Sequence, residues 1–106
     1  AQKDAFSAIF ITSDQIASYV MQGLASEGVS IPEEMSVIGF DDLEVCRQLS
    51  PQLTTVAQDL EQKANYAVKT LLQRLNDPNL PAQSMVLDVS LVERNTVSSQ
   101  KQIEHP

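Results

Sequence analysis

The stretch AIFITSDQIASYVMQGLASEG at residues 8–28, continued by SVIGFDD at residues 36–42, decides the fold. Residues 8–11 form a short, unbroken apolar run, which is typical of a strand that is buried on both faces of a parallel sheet. Residues 12–15 have the spacing of a helix capping box, and Gly28 supplies a stop. The helix between them is predicted to pack through an apolar stripe formed by Ile16, Val20 and Leu24, flanked by Ala17 and Met21.

A second apolar run at residues 36–40 completes a strand–helix–strand unit, whose strands should be parallel and whose crossover should be right-handed. Further along, the pattern predicts a short helix within 43–49, a β-rich segment at 53–56, an amphipathic helix over 59–76 and an alternating strand at 85–92. The fold class predicted from this order is α/β, with a parallel βαβ sheet of the Rossmann-like type.

Length and composition set limits on the function. The 106 residues correspond to one domain or less, and 42% are hydrophobic, as in a globular protein. The net charge of -7 disfavours direct contact with DNA or an anionic membrane, and no apolar run is long enough to cross a bilayer. The single Cys46 excludes an internal disulfide and favours a reducing cytoplasm. The start without Met suggests a fragment of a longer chain.

Polar residues follow both strands of the predicted unit. Ser13 and Asp14 come just after the first strand, and Asp41 and Asp42 come directly after the second. Ligands of open parallel sheets bind beyond the carboxyl ends of the strands, so these side chains are expected at one rim. An ionised Asp only accepts hydrogen bonds and can take two hydroxyl donors, which suits a polyol such as a sugar. The pattern therefore predicts a module that binds a small polar molecule.

Several of these residues have a structural alternative. Ser13, Asp14 and Asp42 are also suited to capping the helices that follow them. Gln58 could be a cap or an ordinary surface residue. Asp41 is harder to explain in this way, because it follows an apolar strand directly at the expected rim. Asp41 is therefore the leading candidate for ligand contact.

Enzymatic alternatives have weaker support. Cys46 is expected to be a packing or surface residue, because no base lies near it in sequence and the only histidine, His105, is in the polar tail. The adjacent Asp41 and Asp42 point different ways, which does not suit glycoside hydrolysis. An acidic pocket of the phosphorelay-receiver type stays a distant alternative, since no lysine is well placed for it. We predict no enzyme, no catalytic residue, no metal site and no cofactor.

The combination of segments is more specific than any one of them. AIFITSD at 8–14, GVSIPEEMSVIGFDD at 28–42, PQLTTVAQ at 51–58 and the ending LVERNT at 91–96 together resemble the lactose-repressor (LacI/GalR) family of bacterial transcription regulators. Order and spacing match from about residue 6 to residue 97. The resemblance implies the last third of a regulator whose helix-turn-helix and hinge helix are absent here, and whose effector domain has two lobes like a periplasmic sugar-binding protein.

The resemblance also implies how the chain divides between those lobes. Residues 1–57 and 89–97 would belong to the C-terminal lobe, and residues 58–88 would cross into the N-terminal lobe. Residues 98–106 are expected to form a flexible tail.

Residue roles follow from the same resemblance. The four implied effector contacts are Asp41, Ser13, Gln58 and Leu60. Ser13 stands where many members have Asn, and Leu60 stands where some have an aromatic that stacks on the sugar ring. Asp14 and Asp42 are expected to support the site. The implied homodimer interface uses Leu49 together with Ser18 and Gln22, which lie off the predicted core stripe of the helix.

These observations predict the effector-binding and dimerisation region of a cytoplasmic regulator. The expected effector is a sugar or a nucleoside, and operator DNA would be contacted only through the helix-turn-helix domain, with no membrane contact. Two alternatives remain open. One is a fragment of a periplasmic sugar-binding protein, and the other is regulation by a phosphoprotein corepressor, which also occurs in the family.

Overall fold

The structure is a computed structural model that describes residues 5–100. Its elements in chain order are β1 (Ala8–Phe10), α1 (Asp14–Ser26), β2 (Ser36–Asp41), α2 (Val45–Gln48), β3 (Thr54–Gln58), α3 (Leu60–Asn76) and β4 (Val89–Val92). The predicted α/β order is confirmed. The last strand is shorter than the predicted 85–92, because only the residues from Val89 onward pair with a neighbouring strand.

The four strands form one sheet in the order β1-β2-β3-β4. β1 pairs parallel with β2, and β2 pairs parallel with β3, which confirms the predicted strand–helix–strand unit. β4 runs antiparallel to β3, with Val89 opposite Gln58. The sheet is therefore mixed. The chain leaves the sheet at the end of β3 and returns beside that same strand in the opposite direction.

A small core lies between the sheet, α1 and α2. Its buried apolar members are Ala17, Met21, Met35, Val37, Cys46 and Leu53. The buried face of α1 carries Asp14, Ala17, Ser18 and Met21, at the i, i+3, i+4, i+7 spacing of one helix face. Packing of this face holds the start of α1 at the edge of the sheet where β2 ends, which is where the polar residues were predicted to meet.

The predicted packing of α1 is correct at Leu24 and at the flanking Ala17 and Met21, which lie in or against the core, and is wrong at Ile16 and Ser18. Ile16, expected in the core stripe, is 56% exposed, whereas Ser18, expected to face outward, is 2% exposed. The Ser18 hydroxyl donates a hydrogen bond to the Gln15 carbonyl at 2.6 Å, so it is satisfied within the helix and can be buried. Gln22 is exposed, as expected.

Helix α3 stands apart from this core. None of its residues is buried, and its exposed apolar side chains include Val68, Leu71, Leu72 and Leu75. The radius of gyration is 19.0 Å, compared with about 13 Å for a compact domain of this length. The shape is accordingly elongated, 66 × 33 × 23 Å. An exposed apolar stripe of this kind is typical of a surface that another part of a protein covers.

The segment after β4 is hydrogen-bonded to both β2 and β3. Thr96 is fully buried, and its hydroxyl donates to the Val37 carbonyl at 2.6 Å and accepts from the Thr54 amide at 2.9 Å. The flexible tail was predicted to begin at Ser98. This residue is instead bound to the sheet, because its amide donates a hydrogen bond to the Ser36 hydroxyl at 3.1 Å. The ordered structure therefore extends past the predicted boundary.

Two predictions concern absences. Within residues 5–100, no helix is long and apolar enough to span a membrane. The same part of the chain has no group of three or more His, Cys, Asp or Glu side chains that could hold a metal ion. Residues 1–4 and the tail residues 101–106, with His105, lie outside the described part of the chain.

Candidate functional site

Asp41 and Gln58 meet at one edge of the sheet. They are the last residues of the parallel strands β2 and β3, so their side chains emerge at the same end. Nε2 of Gln58 donates a hydrogen bond to Oδ1 of Asp41, and Oε1 of Gln58 accepts one from Nζ of Lys63 at 3.4 Å. No residue between 5 and 100 donates to Oδ2 of Asp41, so this oxygen can still accept hydrogen bonds. The structure brings these two predicted contacts together.

The backbone at Asp41 and Asp42 is strained. Asp41 has φ 114° and Asp42 has φ 63°, so two consecutive residues other than glycine occupy the positive-φ region. Asp tolerates this region better than most residues, but such conformations cost of order 1–3 kcal/mol each and persist only where surrounding contacts impose them. Strain of this kind clusters at functional sites, which agrees with the position of Asp41 at the predicted rim.

Asp14 is a buried anchor beneath this turn. It is fully buried and accepts three hydrogen bonds, from the Leu43 amide at 2.8 Å, the Cys46 thiol at 3.1 Å and the Thr55 hydroxyl at 2.6 Å. The alternative that it caps α1 is wrong, because the N-cap is Ser13. Asp14 therefore ties the start of α1 to the turn after β2 and to β3.

Gly39 makes room for that anchor. A Cβ atom at Gly39 would collide with Oδ1 of Asp14 and would lie 2.9 Å from Cδ2 of Leu53. A side chain at this position would displace the buried carboxylate, so the glycine in SVIGFDD is explained by close approach and not by its own backbone angles.

Asp42 makes an ion pair that the sequence did not predict. Its Oδ1 accepts a hydrogen bond from Nη2 of Arg94 at 2.6 Å and lies 3.7 Å from Nη1 of Arg47. The alternative that Asp42 caps the short helix is wrong, because the N-cap residue of α2 is Glu44, which makes no side-chain cap bond. Arg47 also donates to Glu44, and this hydrogen bond lowers the pKa of the Glu44 carboxyl. The partner Arg94 lies 52 residues from Asp42 in the chain.

Ser13 and Leu60 lie at the beginnings of two helices. The Ser13 hydroxyl accepts a hydrogen bond from the Ile16 amide at 3.3 Å as the N-cap of α1, and the side chain is half-buried. Leu60 is the first residue of α3 and is 43% exposed. Within residues 5–100, neither is hydrogen-bonded to Asp41, so the structure does not join them to the Asp41–Gln58 pair directly.

Cys46 does not have the environment of a nucleophile. Burial raises the pKa of its thiol to about 12, and the hydrogen bond to Asp14 adds to the shift. The thiolate is the reactive form of cysteine, and a thiol held protonated next to a buried carboxylate is inert near neutral pH. The predicted packing role agrees with its place in the core.

A cavity of about 390 Å³ lies at the C-terminal end of α1, between residues 21–31 and 49–51. Among its lining residues are Gln22 and Leu49, two of the three residues predicted at a dimer interface, together with Met21 and Ile31. The third, Ser18, is buried in the helix–sheet contact and is not part of this surface.

The chain is similar to known proteins along most of its length. The model of the periplasmic binding protein-like domain family matches residues 2–97. A ribose operon repressor of Haemophilus influenzae is 39% identical over 90% of this chain and 29% of the repressor. The transcriptional repressor PurR of Vibrio cholerae is 37% identical over 86% of this chain and 27% of that protein. The chain thus spans less than a third of the curated relatives it matches.

Solved structures agree with these relatives. A LacI-family transcriptional regulator from Enterococcus faecalis with bound ribose superposes with a TM-score of 0.81 and is 37% identical, covering 90% of this chain and 36% of that one. A periplasmic binding protein/LacI transcriptional regulator from Alkaliphilus metalliredigens, complexed with D-xylulofuranose, has a TM-score of 0.81 and is 34% identical, covering 92% and 37% of the two chains. The chain belongs to the periplasmic binding protein-like domain family and, within it, corresponds to the C-terminal part of the effector-binding domain of LacI-family transcriptional regulators.

Proposed function

We propose that this chain forms one wall of the effector site of a transcriptional regulator, and that the effector is a furanose sugar such as ribose. The observation that carries the proposal is the half-buried carboxylate of Asp41, which has one oxygen engaged by Gln58 and the other available to accept hydroxyl groups. The ribose and D-xylulofuranose bound in two similar regulators support the choice of a furanose.

Each predicted contact has a role in this proposal. Asp41 accepts hydrogen bonds from sugar hydroxyls, and such charge-assisted bonds are stronger than neutral ones. The amide of Gln58 sets the orientation of that carboxylate. Ser13 can present its hydroxyl from the start of α1, and Leu60 can pack against the apolar face of the ring. Asp14 and Asp42 support the site by fixing the turn after β2, through the Leu43 amide and Arg94 respectively.

The effector cleft in this proposal needs a second lobe. Residues 1–57 and 89–97 form part of one lobe, and residues 58–88 cross into the other. The unburied apolar stripe of α3 supports this division, since it needs a partner surface. The paired ends Gln58 and Val89 would then be the two crossings between lobes. A sugar that binds one lobe arrangement more tightly than another shifts the equilibrium between them.

The regulator in this proposal is a homodimer that contacts operator DNA through a separate helix-turn-helix domain. The net charge of -7 argues against DNA contact by this chain itself. Gln22 and Leu49, which line the cavity beside α1, are the proposed dimer contacts. The repressor names of the relatives support a cytoplasmic, non-enzymatic role, and they do not favour a periplasmic solute-binding protein.

Calorimetric titration with D-ribose tests the proposal. It uses the longest natural polypeptide that contains residues 1–106. We expect Asp41→Ala to weaken ribose binding by about 1.5–3 kcal/mol, the usual contribution of a hydrogen bond to a charged group. Glu33→Ala is the matched control, because it removes an exposed carboxylate from the turn before β2, away from the site.

Two results would count against the proposal. Unchanged ribose affinity in Asp41→Ala would remove that residue from the site. A folded parent protein that binds a nucleoside but not ribose would show that the effector class is wrong.

A further inference from the structure

The strained turn at Asp41 and Asp42 is held by contacts from several elements. Gln58 holds the side chain of Asp41, and Asp14 holds the Leu43 amide directly after the turn. Arg94 holds the side chain of Asp42. Since a backbone with two successive positive φ values persists only where its surroundings impose it, removing one of these contacts should let the turn relax.

Arg94 contacts both the turn and β3. Its Nη2 donates to Asp42 at 2.6 Å, its Nη1 donates to the Leu53 carbonyl at 2.9 Å, and its amide donates to the Thr54 hydroxyl at 2.9 Å. The Arg94 side chain is 11% exposed and the Asp42 side chain is 25% exposed, so solvent screens the pair only partly. A guanidinium engaged at both ends of its planar fork has a fixed orientation, which a lysine ammonium in its place would not have.

The position of Arg94 in the chain links the turn to the strand that returns from α3. It comes two residues after β4, the strand through which the chain returns from α3. The two neighbouring aspartates therefore bond to different crossover strands, Asp41 to the last residue of β3 and Asp42 to the segment that follows β4. A shift of either strand relative to β2 would change the turn that carries the ligand-facing carboxylate.

We infer that Arg94 is a positioning residue of the effector site, which acts on the ligand through Asp42 and the orientation of Asp41. Arg94 does not need to touch the effector in this arrangement. It links the returning strand to the turn, so that the position of that strand and the geometry of the Asp41 carboxylate change together. This inference rests on the proposed function and adds to the site a residue that lies far from Asp41 in the sequence.

The test measures whether the effect of Arg94 on binding depends on Asp41. Arg94→Gln, Arg94→Lys and Asp42→Asn are each made in the parent and in an Asp41→Ala background. D-ribose affinity is measured by calorimetry and stability by urea unfolding, in the longest natural polypeptide that contains the chain. Arg74→Gln, on the exposed last turn of α3, is the matched control for loss of an arginine.

In the parent, we expect Arg94→Gln and Asp42→Asn to weaken ribose binding by about fivefold to tenfold, in the range of coupling between residues of one network. Arg94→Lys should restore part of this loss, because the charge opposite Asp42 remains although the fork is lost. In the Asp41→Ala background the same substitutions should change affinity by less than about twofold, while their effect on unfolding persists. Asp42→Asn leaves the bond from Arg94 to Leu53 in place, so it remains informative if Arg94→Gln does not fold.

The outcomes separate the inference from the proposed function. Equal losses of affinity in both backgrounds would mean that Arg94 acts by general destabilisation, and would overturn the inference alone. Ribose affinity that is unchanged by Arg94→Gln and Asp42→Asn in the parent would do the same. A folded parent that does not bind ribose would overturn the proposed function, and the inference with it.

Discussion

Asp14→Asn is the substitution that tests the buried network most directly. Asparagine has nearly the shape of aspartate, but one of its two acceptor oxygens is replaced by an amide group that only donates. The carboxylate is faced by three donors, the Leu43 amide at 2.8 Å, the Cys46 thiol at 3.1 Å and the Thr55 hydroxyl at 2.6 Å. Whichever way the new amide turns, it must place a donor against at least one of them.

The magnitude follows from which donors can adapt. The Thr55 hydroxyl can rotate and accept instead, so the less unfavourable orientation keeps the Asn oxygen on the Leu43 amide. The bonds from the Leu43 amide and the Cys46 thiol then have a neutral acceptor in place of a charged one. A hydrogen bond to a charged group contributes about 1.5–3 kcal/mol, and one to a neutral group contributes about 1 kcal/mol. We therefore expect Asp14→Asn to lower the free energy of unfolding by about 2 kcal/mol. Asp14→Ala leaves the buried amide without a partner and should cost about 4 kcal/mol.

Urea unfolding followed by circular dichroism measures both values. With an m-value of about 1–3 kcal/mol/M, a loss of about 2 kcal/mol lowers the midpoint by roughly 1 M. Asp88→Asn, at an exposed position, makes the same chemical change outside the network and should stay within about 0.5 kcal/mol of the parent. If Asp14→Asn is as stable as Asp88→Asn at an unchanged m-value, the carboxylate does not hold α1, the turn and β3 together, and the reasoning fails.

Two further predictions concern Cys46 and Leu49. Burial raises the pKa of the Cys46 thiol to about 12 in the folded protein, so the thiol ionises at a lower pH in the unfolded chain. The protonated thiol therefore contributes stability that is complete below the pKa of the unfolded chain and is lost as the pH rises toward about 12. Cys46→Ala should lack that part of the alkaline loss, and rapid labelling of the native thiol by a disulfide reagent at neutral pH would contradict this. Leu49→Lys should weaken the proposed dimer, because a two-fold contact would contain the new charge twice. Sedimentation at low concentration measures this, with Gln73→Lys on α3 as control, and an equally dimeric Leu49→Lys would place the interface elsewhere.

Local patterns in the sequence were enough to predict the order of elements and the edge of the sheet that carries Asp41. The apolar run, the capping pattern and the glycine stop each involve neighbouring residues, so they could be recognised without a structure. That Asp41 contacts a ligand stays a prediction. The helix face was predicted wrongly at two positions, because the hydrophobic pattern placed Ile16 in the core and Ser18 outside it, whereas Ile16 is exposed and the internally satisfied Ser18 is buried.

The sequence by itself determined a parallel strand–helix–strand unit with polar residues after each strand, and its resemblance to the LacI/GalR family followed from the same segments. Only the tertiary structure decided the partners of those polar residues. Asp14 pairs with Thr55, 41 residues away, and Asp42 pairs with Arg94, 52 residues away, at separations where no local pattern constrains which groups meet. The antiparallel return of β4 brings Arg94 to the turn. Burial makes the Asp14–Thr55 hydrogen bond necessary, because a polar group removed from water is stable only when it has a partner.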